Sequence, residues 1–261
     1  MTFMDLEVPH WAYMFGFLQA DGHLMAGSGQ KGRLQVEISY RDIDLLRTFQ
    51  ELCPYRSSLS ERTRTTNFSE EHRSAIWRMY SLEGRTRLLE LGIPCGKKST
   101  RIAPPRVPFS RRDYLRGIID ADGAVGCTAE GLPFASLATT STAIATYLCR
   151  YTKLTLGIHK LTSRNTRDHA YNIMYMREIG VSLADHLYYP GCLALERKRS
   201  AAERVATWVR PAHMSPPRQR RSWTQWEDQI LLAAPSHHEA AEQLGRSEKS
   251  CQLRRIRLRR K

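Results

Sequence analysis

The sequence has no apolar run approaching the roughly 20 residues that cross a bilayer, which argues against a membrane span. Its amino terminus lacks a secretory signal pattern. The six cysteines (Cys53, Cys95, Cys127, Cys149, Cys192, Cys251) include no C-x-x-C pair, and the nine histidines offer no zinc-ligand spacing. A zinc centre is therefore disfavoured, and the cysteines read as buried or idle thiols in a reducing, intracellular compartment. Acidic residues are scarce, 26 against 40 Lys and Arg, for a net charge of +14. Residues 210–261 hold 12 of the cations and 5 of the acids, so half of the excess lies in the last fifth of the chain. Both parts could meet a polyanion, although charge alone does not separate DNA from RNA or a membrane surface.

What the sequence does contain is one pattern written twice. Met14-Phe15-Gly16-Phe17-Leu18-Gln19-Ala20-Asp21-Gly22 and Leu115-Arg116-Gly117-Ile118-Ile119-Asp120-Ala121-Asp122-Gly123 lie 101 positions apart. Each reads as the end of a buried helix. Pro9 suits the first turn of one, and Ser110 with Asp113 has capping-box spacing for the other. Gly22 and Gly123 are expected as left-handed helix stops. Gly16 and Gly117 sit inside the helices at a cost of about 1 kcal/mol each, which close approach of another backbone would explain.

Asp21 and Asp122 fall at the negative ends of their helices, where a carboxylate is unfavourable and two together more so. A bound hard cation such as Mg²⁺ removes the conflict. A lone Ala-Asp-Gly reads as a hairpin turn. Recurrence of the whole nine-residue pattern instead favours a duplicated unit with one acid per copy at a shared site.

These strings resemble the LAGLIDADG motif of homing endonucleases, in the single-chain form with two motifs, over roughly residues 8–205. The resemblance implies that Asp21 and Asp122 bind the metal, with Mn²⁺ or Ca²⁺ as substitutes for Mg²⁺ and Ca²⁺ non-catalytic. The Ala20 and Ala121 carbonyls could add backbone ligands. It also implies a basic residue near each active site. Lys97 and Lys98 follow Asp21 by 76 and 77 positions, and Lys198 follows Asp122 by 76. Such a lysine would hold a water or offset phosphate charge. The spacing does not choose between Lys97 and Lys98. Glu37 and Ser136 roughly correspond and could order water.

The rest of each copy reads as αββαββα, an α+β fold with antiparallel sheets. The first half, residues 1–104, is expected to contain strands at Arg33–Tyr40, Arg56–Arg64 and Ala75–Ser81, with helices at Ile43–Leu52 and Leu82–Leu91. The second half, residues 105–208, should form a hairpin over Val125–Thr140 and a helix over Ala143–Leu156. Strands at His159–Asn165 and Tyr171–Met176 and a helix over Glu178–Tyr188 complete it. On these strands Arg33, Gln35, Arg62, Arg64, Arg78, His159, Lys160, Arg164, Asn165 and Asn172 are candidates for contacts to bases and phosphates of double-stranded DNA. The copies differ at nearly every such position, which predicts a long asymmetric target.

Residues 209–222 read as an extended basic Pro/Arg linker. Residues 223–261 then resemble a Myb/SANT-like helix-turn-helix module. Thr224 and Glu227 make a capping box, Gly245 ends a second helix, and a third begins after Ser247. That last helix carries Lys249, Gln252, Arg254, Arg255 and Arg257 as candidate DNA contacts, while Trp223 and Trp226 are expected in the small core.

The reading is a monomeric, metal-dependent, site-specific double-strand DNA endonuclease in the cytoplasm or at the nucleoid, and the resemblance implies a staggered break with short 3′ overhangs. An initial Met and the lack of a terminal His-Asn favour an intron-encoded or free-standing enzyme over a splicing element. The alternatives are a non-cleaving LAGLIDADG/helix-turn-helix regulator, which would lose the acids, and an intron RNA maturase.

Overall fold

The computed structural model describes residues 3–28, 31–66, 69–214 and 223–259. Packing divides the chain into two units, Met1–Arg210 and Pro211–Lys261. No helix among the described residues is long and apolar enough to cross a membrane.

In the first unit, α1 (Pro9–Asp21) begins with its proline in the first turn and is buried from Trp11 to Gln19. It leads into β1 (His23–Met25) and β2 (Arg33–Ser39), a 3-10 turn at Tyr40–Asp42, and α2 (Ile43–Leu52). β3 (Ser57–Thr66), β4 (Ser69–Met79) and α3 (Leu82–Leu91) follow, giving a sheet in the order β1-β2-β4-β3, antiparallel throughout. The amphipathic α2 buries Leu45, Leu46 and Phe49. Phe49 meets Phe17 of α1 edge-on at 5.6 Å and Trp77 of β4 at 6.3 Å, tying helix to helix to sheet.

The second helix of the repeated pattern, α4 (Arg111–Asp122), runs into β5 (Gly123–Cys127), then β6 (Pro133–Thr139), α5 (Thr142–Leu156), β7 (Tyr171–Met176), α6 (Glu178–Leu187) and α7 (Glu196–Ala206). The antiparallel sheet β5-β6-β7 has three strands, not four. The strand expected over His159–Asn165 is absent, apart from one bridge between Arg164 and Tyr171. The segment is polar, and its one large apolar residue, Leu161, is 94% exposed, so a strand there would have no face to bury. The second half therefore runs αββαβα and adds α7, which its sequence had not suggested.

Two local expectations need correction. Gly22 (φ −67°) and Gly123 (φ −113°) end their helices in extended backbone, not the left-handed region. Space is what they supply: a Cβ on Gly123 would lie 2.3 Å from the Ser136 carbonyl oxygen, and one on Gly22 2.5 Å from that of Leu18. Ser110 makes no side-chain cap; its hydroxyl donates to Asp113 instead. That carboxylate also receives Arg116 and the Tyr189 hydroxyl. Arg116 is wholly buried and donates further to the Leu187 and Leu193 carbonyls, so its charge is both paired and hydrogen-bonded.

The second unit contains α8 (Gln225–Ala233), α9 (His237–Leu244) and α10 (Glu248–Arg259), packed around Leu231, Ala240, Leu244 and Cys251. Thr224 and Glu227 form the reciprocal capping box, and Gly245 (φ +58°) closes α9 in the left-handed conformation. Glu227 pairs with Arg246, whose guanidinium stacks 4.1 Å over Trp223. Trp223 is half-buried against this core, whereas Trp226 is 55% exposed and is not a core residue. Arg210 grips Glu178 through two hydrogen bonds and belongs to the first unit, and residues 215–222 of the expected linker lie outside the described residues.

Candidate active site and nucleic-acid interface

α1 and α4 cross backbone against backbone. A Cβ on Gly16 would lie 2.3 Å from the Tyr114 carbonyl oxygen, and one on Gly117 2.2 Å from that of Tyr13. Only glycine permits this approach. The same tyrosines then reach across with their hydroxyls. Tyr13 donates to Asp120 at 2.6 Å and Tyr114 donates to Gln19 at 2.6 Å. Each of these pairs, Tyr13 with Tyr114, Gly16 with Gly117 and Gln19 with Asp120, is separated by 101 residues. The two phenols were legible as residues recurring at that interval, but only the packed structure shows what they bind. Asp120 is fully enclosed and also accepts the Tyr188 hydroxyl and the Leu195 amide. It is a structural latch, as is Gln19, which donates to the Gly92 and Ala103 carbonyls.

The crossing delivers Asp21 and Asp122, the last residues of α1 and α4, to one place. Ala20 and Asp122 line a single cavity of about 250 Å³ with Ser99, Ile102 and Thr140. Both carboxylates reach solvent, yet protein crowds their inner sides. Asp122 is pushed up to about 6, first by desolvation and then by repulsion from Asp21, with Lys98 and Lys198 opposing. Desolvation raises Asp21 against the pull of the same lysines. The four charges thus form one electrostatic group.

The lysines are clamped to the helix tails. Lys98 donates to the Gln19 and Ala20 carbonyls. Lys198 donates to the Ile119, Asp120 and Gly123 carbonyls at 2.6–2.7 Å. An ammonium has three donors, so Lys198 has spent all of its own while Lys98 keeps one. Burial lowers both, Lys198 to about 8, although the nearby acids favour the charged forms. Lys97 is exposed and makes no such contact; only its carbonyl is engaged, by Arg101. Ala20 offers its carbonyl to Lys98, whereas no lysine bond goes to Ala121.

Among the described residues no cluster of three or more His, Cys, Asp or Glu side chains could hold a metal. Two carboxylates at carbonyl-rich helix ends form a hard, all-oxygen donor pair. A divalent cation taking its remaining ligands from water or phosphate would relieve their mutual repulsion.

The sheets flank this centre, and their outer faces differ. In the first, Arg33, Gln35 and Glu37 of β2 share a face with Arg78 of β4 and Arg62 and Arg64 of β3. Arg78 donates to Ser60 at 2.9 Å, and Arg64 pairs with Glu37 at 3.5 Å. The second β-hairpin keeps the same register 101 residues later: His23 faces Gln35, and Ala124 faces Ser136. Ser136 therefore corresponds to Gln35, and the counterpart of Glu37 is Ala138. By the same register Phe134 stands for Arg33, and Met174 for Arg78.

Other expected contacts are occupied. Arg164 donates to the Thr140 and His169 carbonyls and to the Thr142 hydroxyl, and it stacks over Tyr171. The Asn165 side chain caps the Asp168 amide. His159 is exposed on the connection before β7, where Lys160 lies 5.9 Å from the Tyr175 ring, and Asn172 is exposed on β7. In α10, Arg254 pairs with Asp228, and Arg255 is buried against the Leu231 and Ala234 carbonyls at the end of α8. Both are structural residues. Arg255 sits one turn from the core residue Cys251, a spacing that marks the inward stripe. Lys249 and Arg257 remain exposed, and Gln252 is half-buried, accepting from Lys249 at 3.3 Å.

No family model matches the sequence, and no curated protein does. Solved structures do. The homing endonuclease I-WcaI bound to its DNA recognition sequence superposes with a TM-score of 0.52 at 12% identity, covering 76% of this chain and 87% of that one. The fold is that of a homing endonuclease. The meganuclease I-SmaMI bound to uncleavable DNA with a TTGT central four gives a TM-score of 0.50 at 12% identity, with the same two coverages. At that identity the likeness speaks to the fold alone.

Proposed function

We propose that this chain is a site-specific, double-strand DNA endonuclease of the LAGLIDADG homing type, dependent on a divalent metal. The observation that carries the reading is the meeting of Asp21 and Asp122 at the tails of two crossed helices, beside two helix-anchored lysines. The constant interval of 101 residues, held from the tyrosines through the second β-hairpin, supports an internal duplication within one chain.

Asp21 and Asp122 would hold the ion, for which Mg²⁺ suits the hard donors. When bound, it activates water and offsets charge on the phosphodiester. Lys98, with one N–H left, would orient that water or steady the phosphate. Lys198 has no donor to spare and instead fixes the tail of α4, so the two halves contribute unequally. The two sheets would lie along the major groove of a duplex. In the C-terminal unit, Lys249, Gln252 and Arg257 of α10 would extend contact beyond the core. Both acids being present favours cleavage over a non-cleaving regulator.

The test is cleavage by the full chain of a plasmid library carrying randomised inserts, with Mg²⁺ and then with EDTA. Double-strand ends at a reproducible sequence, lost in EDTA, are expected. Sequence-selective binding without breaks under either condition would favour the regulator.

A further inference from the structure

The second sheet's outer face has lost nearly everything that reads base edges by hydrogen bonding. Where the first presents Arg33, Gln35 and Arg78, the second presents Phe134, Ser136 and Met174 at matched register. Ala138 replaces Glu37. The second sheet also has no counterpart of β3, the strand that carries Arg62 and Arg64. Asn172 is the single amide on this face, and the Ser136 hydroxyl turns back to the Ala124 carbonyl.

Such a surface selects its bases in a particular way. Every base pair shows hydrogen-bonding groups in the major groove that methyl and thioether groups leave unpaired, so such a face chooses only through an apolar gain. Thymine shows the one apolar feature of the groove floor, its C5-methyl group. Flexible methionine and small alanine suit contact with such methyls. The occupant is duplex DNA, because Ala138 of this face lines one cavity with Asp122 and the β-hairpin matches that of the first sheet in register.

We propose that the second sheet reads its half-site through thymine methyl groups, so that the target is chemically lopsided. One half is chosen by hydrogen bonds to base edges; the other is A·T-rich and methyl-dependent. This rests on reading the core as a DNA nuclease.

The full chain, with Ca²⁺ in place of Mg²⁺, would select bound duplexes from a randomised pool. A parallel selection with Arg78→Gln shows which half lies under the first sheet, because base preference changes there. Thymines of one half are then replaced by deoxyuridine, which removes only the methyl, and affinity is measured by filter binding. About fourfold weaker binding per thymine is expected in the second-sheet half, the loss for one buried methyl-sized group, and less than twofold in the other. Selective binding that is indifferent to deoxyuridine in the second half would overturn the inference and leave the nuclease reading standing. So would a second half with no base preference, which would give this face to another partner. A pool that yields no preferred sequence at all would overturn both.

Discussion

The crossed helices and the two sheets have treated the same repeat in opposite ways. At the crossing the key positions match: tyrosine with tyrosine, glycine with glycine, the last aspartate with the last aspartate, and one lysine clamped to each tail, with Gln19 against Asp120 as the exception. On the sheets, matched positions hold arginine against phenylalanine and arginine against methionine. The helices must meet each other and so constrain one another through reciprocal contacts. The outer faces of the sheets are under no such constraint, and on the proposed reading each is free to follow its own half of a target. On the proposed reading the acids stay paired while the recognition faces diverge.

The largest effect should come from breaking the pair at its acids. Asp21→Asn or Asp122→Asn should lower double-strand cutting by about a hundred- to a thousandfold while duplex affinity, read by filter binding, changes by less than about twofold. Double-strand cleavage at the normal rate by either variant would remove these residues from the active site.

Next comes the crossing itself. Gly16→Ala or Gly117→Ala drives a methyl into a tyrosine carbonyl on the other helix. Each should cost about 3 kcal/mol or more, lowering the melting temperature by roughly 6–12 °C. Unchanged melting would mean that the helices can slide apart at no cost.

A cut after Arg210 separates the homing-endonuclease-like core from its small helical companion without breaking the Glu178–Arg210 pair. The core should still cleave, with affinity about tenfold lower and a shallower dependence on salt. Loss of cleavage at saturating DNA would show that the companion takes part in the chemistry.

The smallest effect concerns pH. Asp122 titrates near 6 in the folded protein, above the roughly 3.9 of an unfolded chain. The folded state therefore holds that proton to higher pH, and the charged carboxylate costs stability above about pH 6 but not below about pH 4. Without metal, Asp122→Asn should gain about 1 kcal/mol or less at pH 7.5, allowing for solvent screening. The gain should vanish at pH 4. A variant less stable than the parent at pH 7.5 would contradict the repulsion between the two acids.

Much of the core could be read from the chain alone, because buried helices and alternating strands leave periodic marks. α2 and α3 begin and end where their apolar spacing says they should. Lys98 could not be told from Lys97, since both sit in Gly-Lys-Lys-Ser and only the fold aims one at a helix tail. Arg254 and Arg255 looked like reading residues because their partners, Asp228 and the end of α8, lie more than 20 positions away. The strand expected before β7 failed for want of apolar residues to bury, and the contrast between the sheets became visible only with their register.

The lysine clamps carry one more consequence. With both helix tails tied down in advance, the spacing between the two cutting positions of the proposed nuclease would belong to the protein. The chain would act as a caliper, leaving single-stranded ends of one length at every site it cuts, whether a perfect match or a poor one.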